Sequence, residues 1–387
     1  MSSATGPHMQ LASTTPTAAP GRLDTQVAEL HRLARAVDAG SPAARTGLQR
    51  WLDGLQRSRD PRHVGLYVFG AALAQRLDGR TAAQANLYLQ RYERSQIELF
   101  NLLGRALPFV GLATTVCNRA IAQALKGQPR GLLIDIGIGT GRQLLQLLPT
   151  LAAQGLRELT LIGIEPAAPA LELAQAQLQQ AGRDLGLELR MRPLLGSVEA
   201  LDTVQWAGIQ AACADLRPVV NASFALHHIA DDARGRCQRQ AVLQRLHALD
   251  PALLVLAEPD VDHLEADLYP RFRNCFAHFS AVFDTLDRLD LAQAERDALK
   301  VGFFGREIAD ILGQPEGLRS ERHESAAQWL RRLAGAGFDV MVDETAAAAG
   351  GAQGPVQLRR RAYHCSLEAG GEPVVALFCA RPQRALH

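Results

Sequence analysis

The stretch Gly131–Gln143, GLLIDIGIGTGRQ, constrains this chain more than any other. Leu132, Leu133, Ile134 and Ile136 read as a buried strand that enters a turn with glycines at 137, 139 and 141. An apolar helix follows, through Leu144, Leu145, Leu147, Leu148 and Leu151. A short apolar run, a glycine turn and a helix outline a βα cradle for a phosphate- or nucleotide-bearing ligand. A dinucleotide fingerprint would place its third glycine at position 142, where this chain has Arg142, which disfavours a nicotinamide oxidoreductase. Glycines at alternate positions suit close backbone approach, because any Cβ would fill the space a ligand needs.

The chain of 387 residues has room for two lobes, or for one large domain with an insertion. Its net charge of +1 gives no support to bulk nucleic-acid binding. No apolar run approaches a membrane span and no signal peptide is evident. The six cysteines are scattered without a C-x-x-C pair, so they read as reduced thiols in a cytoplasmic protein. No group of His, Cys or Asp has metal-ligand spacing along the chain, and no metal is expected.

Residues 1–21 are small, polar and proline-bearing, the composition of a disordered tail. Residues 22–127 carry helical periodicity throughout, including Leu48, Trp51, Leu52 and Leu55, and Thr81 is placed to cap a helix running to Leu102. They predict an N-terminal helical cap. From 128 the grammar turns to alternating strands and helices, with strands at Leu159–Pro166, Leu187–Pro193, Pro218–Leu226 and Ala252–Asp260. That alternation predicts a doubly wound α/β core whose first part runs to 263. Residues 264–300 interrupt it with a helix bearing Phe272, Phe276, Phe279 and Phe283, expected to fold back onto the cap. Residues 301–387 supply the rest of the core: helices, a strand at Phe338–Asp343, a flexible loop at 345–355 and an antiparallel hairpin about Gly370-Gly371.

Two resemblances follow from these segments. The Asp135-to-Gly141 pattern resembles the first motif of class I methyltransferases. More broadly, the order of segments from about residue 60 resembles a GRAS-domain protein of bacterial type. LYVFGAALAQRL and the helix through Asn118-Arg119-Ala120-Ile121 resemble its first leucine-rich region, GLLIDIGIGTGRQ its VHIID segment, and VVNASFALHHI its V-N-x-x-x-x-L-H-H run. LYPRFRNCFAHFSAVFDTLD, FFGREIADILG and SERHESAAQWLRRLAGAGF resemble its later motifs, whereas PVVALFCARP lacks the usual S-A-W triplet. The resemblance implies a Rossmann-like, mainly parallel seven-stranded sheet with a helical cap. It implies one of two functions. One is an S-adenosylmethionine-dependent methyltransferase acting on a small molecule held between core and cap. The other is a non-catalytic regulatory or protein-interaction module on the same fold, as in the plant members, which regulate transcription through protein partners. The complete glycine turn favours the enzyme, with a small-molecule acceptor, no nucleic acid or membrane partner, and a homodimer among the expected assemblies.

On that reading Gly137, Gly139 and Gly141 line the amino acid end of S-adenosylmethionine, with Asp135 orienting a backbone group or the ligand's ammonium. Glu165, ending the second strand, accepts from the ribose hydroxyls. Ser197 and Val198 meet the adenine. Asn221 faces the cofactor, and His227 and His228 stand where a general base for an O or N acceptor belongs. Glu258 ends the fifth strand as a substrate contact or base. Arg306-Glu307 and His323-Glu324 are read as ion pairs at the cap–core junction.

Overall fold

A computed structural model describes residues 22–58, 60, 62–78, 96–230, 237–342 and 352–383. The expected tail, most of the helix after Thr81 and most of the loop at 345–355 lie outside the described residues.

The organising sheet grows from the strand that enters the glycine turn, β1 (Arg130–Ile136). It is joined by β2 (Glu158–Glu165), β3 (Glu188–Leu195), β4 (Val219–Ser223) and β5 (Leu253–Pro259), all parallel, in the spatial order β3-β2-β1-β4-β5. The order reverses between β2 and β4, so the carboxyl ends of β1 and β4 flank the switch point where open sheets place their sites. β10 (Glu372–Pro382) closes the far side antiparallel to β5 and also pairs β6 (Phe338–Met341). Three further antiparallel strands, β7 (Ala352–Gln353), β8 (Val356–Arg360) and β9 (Cys365–Ala369), extend the edge beyond β10.

Among the described residues the sheet therefore has ten strands, where seven were expected. The end of the supposed flexible loop forms β7. The extra strands escaped the sequence reading because Val356–Arg360 is mostly polar and exposed, and pairs only at the periphery.

Alternation along the strands divides the apolar residues between two faces. Leu132, Ile134 and Ile136 of β1 join Ile162, Val220 and Leu254 in one core, covered by α8 (Thr203–Ala212), α9 (Gln238–Ala248) and α12 (Ala326–Gly335). Leu133 faces the other way, with Leu161, Val219 and Val255. That second core is continuous with the N-terminal helices α1 (Arg22–Asp38), α2 (Ala44–Ser58), α3 (His63–Asp78), α4 (Gln96–Ala106) and α5 (Pro108–Ala124), and with α6 (Arg142–Ala153) and α7 (Ala168–Asp184). Cap and sheet are thus joined by one body of buried side chains.

The aromatic helix α10 (Leu268–Asp287) packs on the N-terminal helices. Phe276 lies 5.0 Å from Phe69 and from His31, ring centre to ring centre, and Phe283 lies 6.1 Å from Phe69. These separations are those of stabilising aromatic pairs, and they fasten the insertion to the cap. The chain then passes through α11 (Gln293–Ala298) and π-helical turns ending at Gly313 to a loop that returns under the carboxyl edge of the sheet.

Candidate functional site

Two groups of residues lie along that carboxyl edge. The first surrounds the glycine turn. Gly137, Gly139 and Gly141 all adopt left-handed φ, at 72°, 53° and 78°. A Cβ on Gly137 would fall 2.7 Å from the Cβ of Ala225, and one on Gly141 would fall 2.9 Å from Leu178 Cδ1. Both glycines are therefore required by the protein's own packing as well as by backbone conformation. Glu165 Oε2 accepts from Gly139 N at 3.0 Å, and its Oε1 accepts from Ala167 N at 3.0 Å. The carboxylate expected to hold a ribose thus clasps the turn itself.

Beneath the turn, Asp135 is buried and accepts from Asn221 Nδ2 at 2.7 Å. Burial pushes the Asp135 carboxyl up to about 7, against the lowering effect of that bond. Asn221 Oδ1 in turn accepts from Gln143 Nε2 at 3.3 Å and Ser223 Oγ at 3.2 Å. Ser197 is half-buried, whereas Val198 is buried with Trp206 and Leu201 in the core covered by α8. The structure so unites Asp135, the three glycines, Glu165 and Asn221, and turns the Val198 side chain into the core.

The second group gathers where β4 and β5 end. Phe224 follows β4 at φ 55°, a region bulky side chains rarely enter, and its N–H is held 2.7 Å from the carbonyl of Ala257. This bend sends the chain into a tight turn at Leu226–His228. Glu258, fully buried, accepts from Ala225 N at 3.2 Å and Leu226 N at 2.7 Å through Oε1, and lies 2.6 Å from His227 Nδ1 through Oε2. Burial pushes the Glu258 carboxyl up to about 7, while the Leu226 N–H and Arg239 pull it down. The same burial holds His227 well below its ordinary range.

The loop before α12 supplies Glu321. Its Oε2 lies 3.6 Å from His227 Nε2, 3.5 Å from His228 Nδ1 and 3.3 Å from His323 Nε2. His228 is half-exposed; burial alone would lower it, but Glu321 outweighs burial and raises it. His323 Nδ1 meets His263 Nδ1 at 3.0 Å, and His278 stands beside both. Burial pushes His323 down to about 4 and His278 to about 3.

Glu321 and His278 lie in motifs quoted for the family resemblance and His263 in none, and nothing along the chain signals that the three meet, since each sits in a different segment. No metal was expected on linear spacing, yet the fold brings the ligating atoms of His227, His228 and Glu321 within 4.8 Å of one another. The expected pairing of His323-Glu324 resolves into two roles. His323 joins the histidine cluster, while Glu324 is buried between Arg239 Nη1 at 2.6 Å and Arg332. Glu307 approaches Glu321 and Asp310, and its carboxyl is raised well above the usual range by burial and then by those two neighbours.

The sheet order, the glycine turn at the end of β1 and the helical cap define a doubly wound α/β protein. Residues 27–366 match the GRAS domain family, and the chain belongs to it. It is similar to the GRAS family protein RAD1 of Medicago truncatula, 29% identical over 62% of this chain and 47% of that protein. It is also similar to the DELLA protein SLR1 of Oryza sativa subsp. indica, at 28% over 82% and 54%. Scarecrow-like protein 1 of Arabidopsis thaliana is 26% identical over 75% of this chain and 50% of its own length. The chain thus spans about half the length of these curated relatives. The crystal structure of SCL7 in Oryza sativa shares the fold, with a TM-score of 0.77 and 22% identity over 92% of this chain and 99% of that one.

These relatives correct two expectations. The three relatives are named as a GRAS family protein, a Scarecrow-like protein and a DELLA protein, none of them a methyltransferase, and this overturns the methyltransferase assignment. The small-molecule acceptor falls with it. The relatives are plant proteins, which lends no support to a bacterial type. Among the described residues no helix is long and apolar enough to cross a membrane.

Proposed function

We propose that this chain is a non-catalytic regulatory or protein-interaction module of the GRAS type, built on a methyltransferase-like fold. The observation that carries the reading is the fate of the two histidines placed for catalysis. A general base must reach the proton of a bound acceptor and must be unprotonated near neutral pH. His227 is 5% exposed and lies with its two ring nitrogens toward Glu258 and Glu321. His228 is the accessible one, and Glu321 holds it toward the protonated form. Neither combination of access and charge suits a base. Glu258 is itself committed to two backbone N–H groups and a histidine.

S-adenosylmethionine enters this reading as a bound ligand rather than a methyl donor. Its amino acid end would meet Gly137, Gly139 and Gly141, its ribose Glu165, and its adenine Ser197 and Val198. The donor set supports this, because each Glu165 oxygen accepts one backbone N–H and a carboxylate oxygen has a second lone pair. The turn is nevertheless closed by its own hydrogen bonds and packing, so the regulatory reading does not depend on the ligand.

The test is an incubation with methyl-labelled S-adenosylmethionine, small acceptors and extract of the source cells, beside calorimetric titration of the cofactor. The expected result is no label transfer above a heat-killed control, whether or not the cofactor binds. Catalytic transfer overturns the proposal, while absence of binding removes only the cofactor from it. A protein partner found by crosslinking, and re-formed as a complex from purified components, is the supporting outcome.

A further inference from the structure

We propose that His227 Nε2, His228 Nδ1 and Glu321 Oε2 form a site for one divalent transition-metal ion of the zinc class, which ties the turn after β4 to the loop before α12. In a tetrahedral zinc site, bonds of ~2.0–2.2 Å set neighbouring ligand atoms about 3.3–3.5 Å apart. The two histidine nitrogens lie 3.6 and 3.5 Å from the carboxylate oxygen, close to the edges of such a tetrahedron. Two imidazoles and a carboxylate are also a donor set that zinc accepts, with a fourth position left open.

Three independent observations point to a ligand here. First, among the described residues Glu321 Oε2 and His323 Nε2 are buried and make no hydrogen bond of good geometry, although they lie only 3.3 Å apart. His323 is 1% exposed, so an unpartnered polar atom there carries the full cost of desolvation. A cation between the histidines and Glu321 would satisfy the carboxylate oxygen and leave His323 to support the open position. Second, the outer contacts are those of a metal-bound histidine. Glu258 Oε2 lies 2.6 Å from His227 Nδ1, and with Nδ1 as the donor His227 turns the lone pair of Nε2 toward Glu321. Third, His228 is half-exposed while His227 is buried and Glu321 is partly buried, so the ion has a path from solvent.

The site rests on residues separate from the glycine turn, and it goes beyond the regulatory reading without relying on it. Binding would displace protons from the histidines, as metal binding generally does.

The experiment uses the full chain, stripped with chelator and titrated with zinc chloride by calorimetry, followed by loading with cobalt(II) as an optical probe. The expected outcome is one equivalent of zinc at sub-micromolar affinity and a higher melting temperature. The cobalt form should show intense visible bands of a tetrahedral nitrogen–oxygen site, without the near-ultraviolet band of thiolate ligation. His228→Ala and Glu321→Gln should each weaken binding by about 100-fold or more, at least as much as loss of an outer-sphere partner. His228 is half-exposed, so its variant keeps the fold and carries the test even if Glu321→Gln does not. No zinc binding to the native chain overturns the proposal. Affinity unchanged in His228→Ala, or a thiolate band in the cobalt form, overturns it equally by placing the ion elsewhere.

Discussion

The two halves of the sheet's carboxyl edge are built on opposite principles. Around the glycine turn the side chains are paired locally: Glu165 takes Gly139 and Ala167, Asp135 takes Asn221, and Asn221 takes Gln143 and Ser223. Around His227 more of the groups are titratable, and among the described residues His323 Nε2 and Glu321 Oε2 make no hydrogen bond of good geometry. The first half is a closed network that can stand without a ligand. The second holds concentrated charge and unmet polar valence, which costs stability unless something completes it. A site is better recognised by such unmet valence than by a familiar turn.

The largest test of that contrast is Glu258→Ala. It leaves two buried N–H groups and His227 without their acceptor, and should cost about 3–5 kcal/mol, read as a shift in chemical denaturation. A loss under about 1 kcal/mol would mean that the β4 end is not organised by this carboxylate.

Next is Gly141→Ala, which forces a Cβ into left-handed backbone and against Leu178 at 2.9 Å. The expected loss is about 2–3 kcal/mol with no ligand present. A stable apo protein carrying Ala at that position would show that the glycine serves a ligand after all.

Third, the histidine half should make the fold acid-sensitive. His278 has its folded value pushed down to about 3, and His227, His263 and His323 are lowered as well. For each, the unfolded chain takes up protons first as pH falls below about 6.5, so stability present above that pH is lost on acidification. Asp135 and Glu258 act in the opposite sense, since their raised values make them lose stability as pH climbs from about 4 toward 7. For His278 alone the loss from pH 6.5 to 5 is about 2 kcal/mol. Denaturation of His278→Leu across that range should have a visibly shallower slope; an unchanged slope would remove His278 from the account.

The smallest effect belongs to Glu165→Ala. Its two bonds go to backbone near the surface, so about 1 kcal/mol is expected. A loss as large as that of Glu258→Ala would erase the distinction between the two halves.

The glycine half was legible because its parts are contiguous or end neighbouring strands. Asp135 and the three glycines occupy one short run, and Glu165 ends the next strand. The histidine half was only partly legible. His227, His228 and Glu258 were marked by their positions at strand ends, but their chemistry was not, because it depends on Glu321, His323, His263 and His278. Polar residues on loops and helix faces have no periodic signature, so nothing along the chain tells which of them will meet. Strands β7 and β8 were missed for a related reason, being short, polar and at the edge.

The sequence by itself determined the alternation of strands and helices, the parallel core, the helical lobe before it and the glycine turn. Each of these is written in local periodicity and in residues with special backbone freedom. Only the tertiary structure decided that Glu165 holds the turn itself, that His227 is clamped between two carboxylates, and that Glu321 approaches three histidines. Those outcomes depend on burial and on distances between remote segments. Packing sets both, and both decide whether a carboxylate or an imidazole is charged, satisfied or open to a ligand.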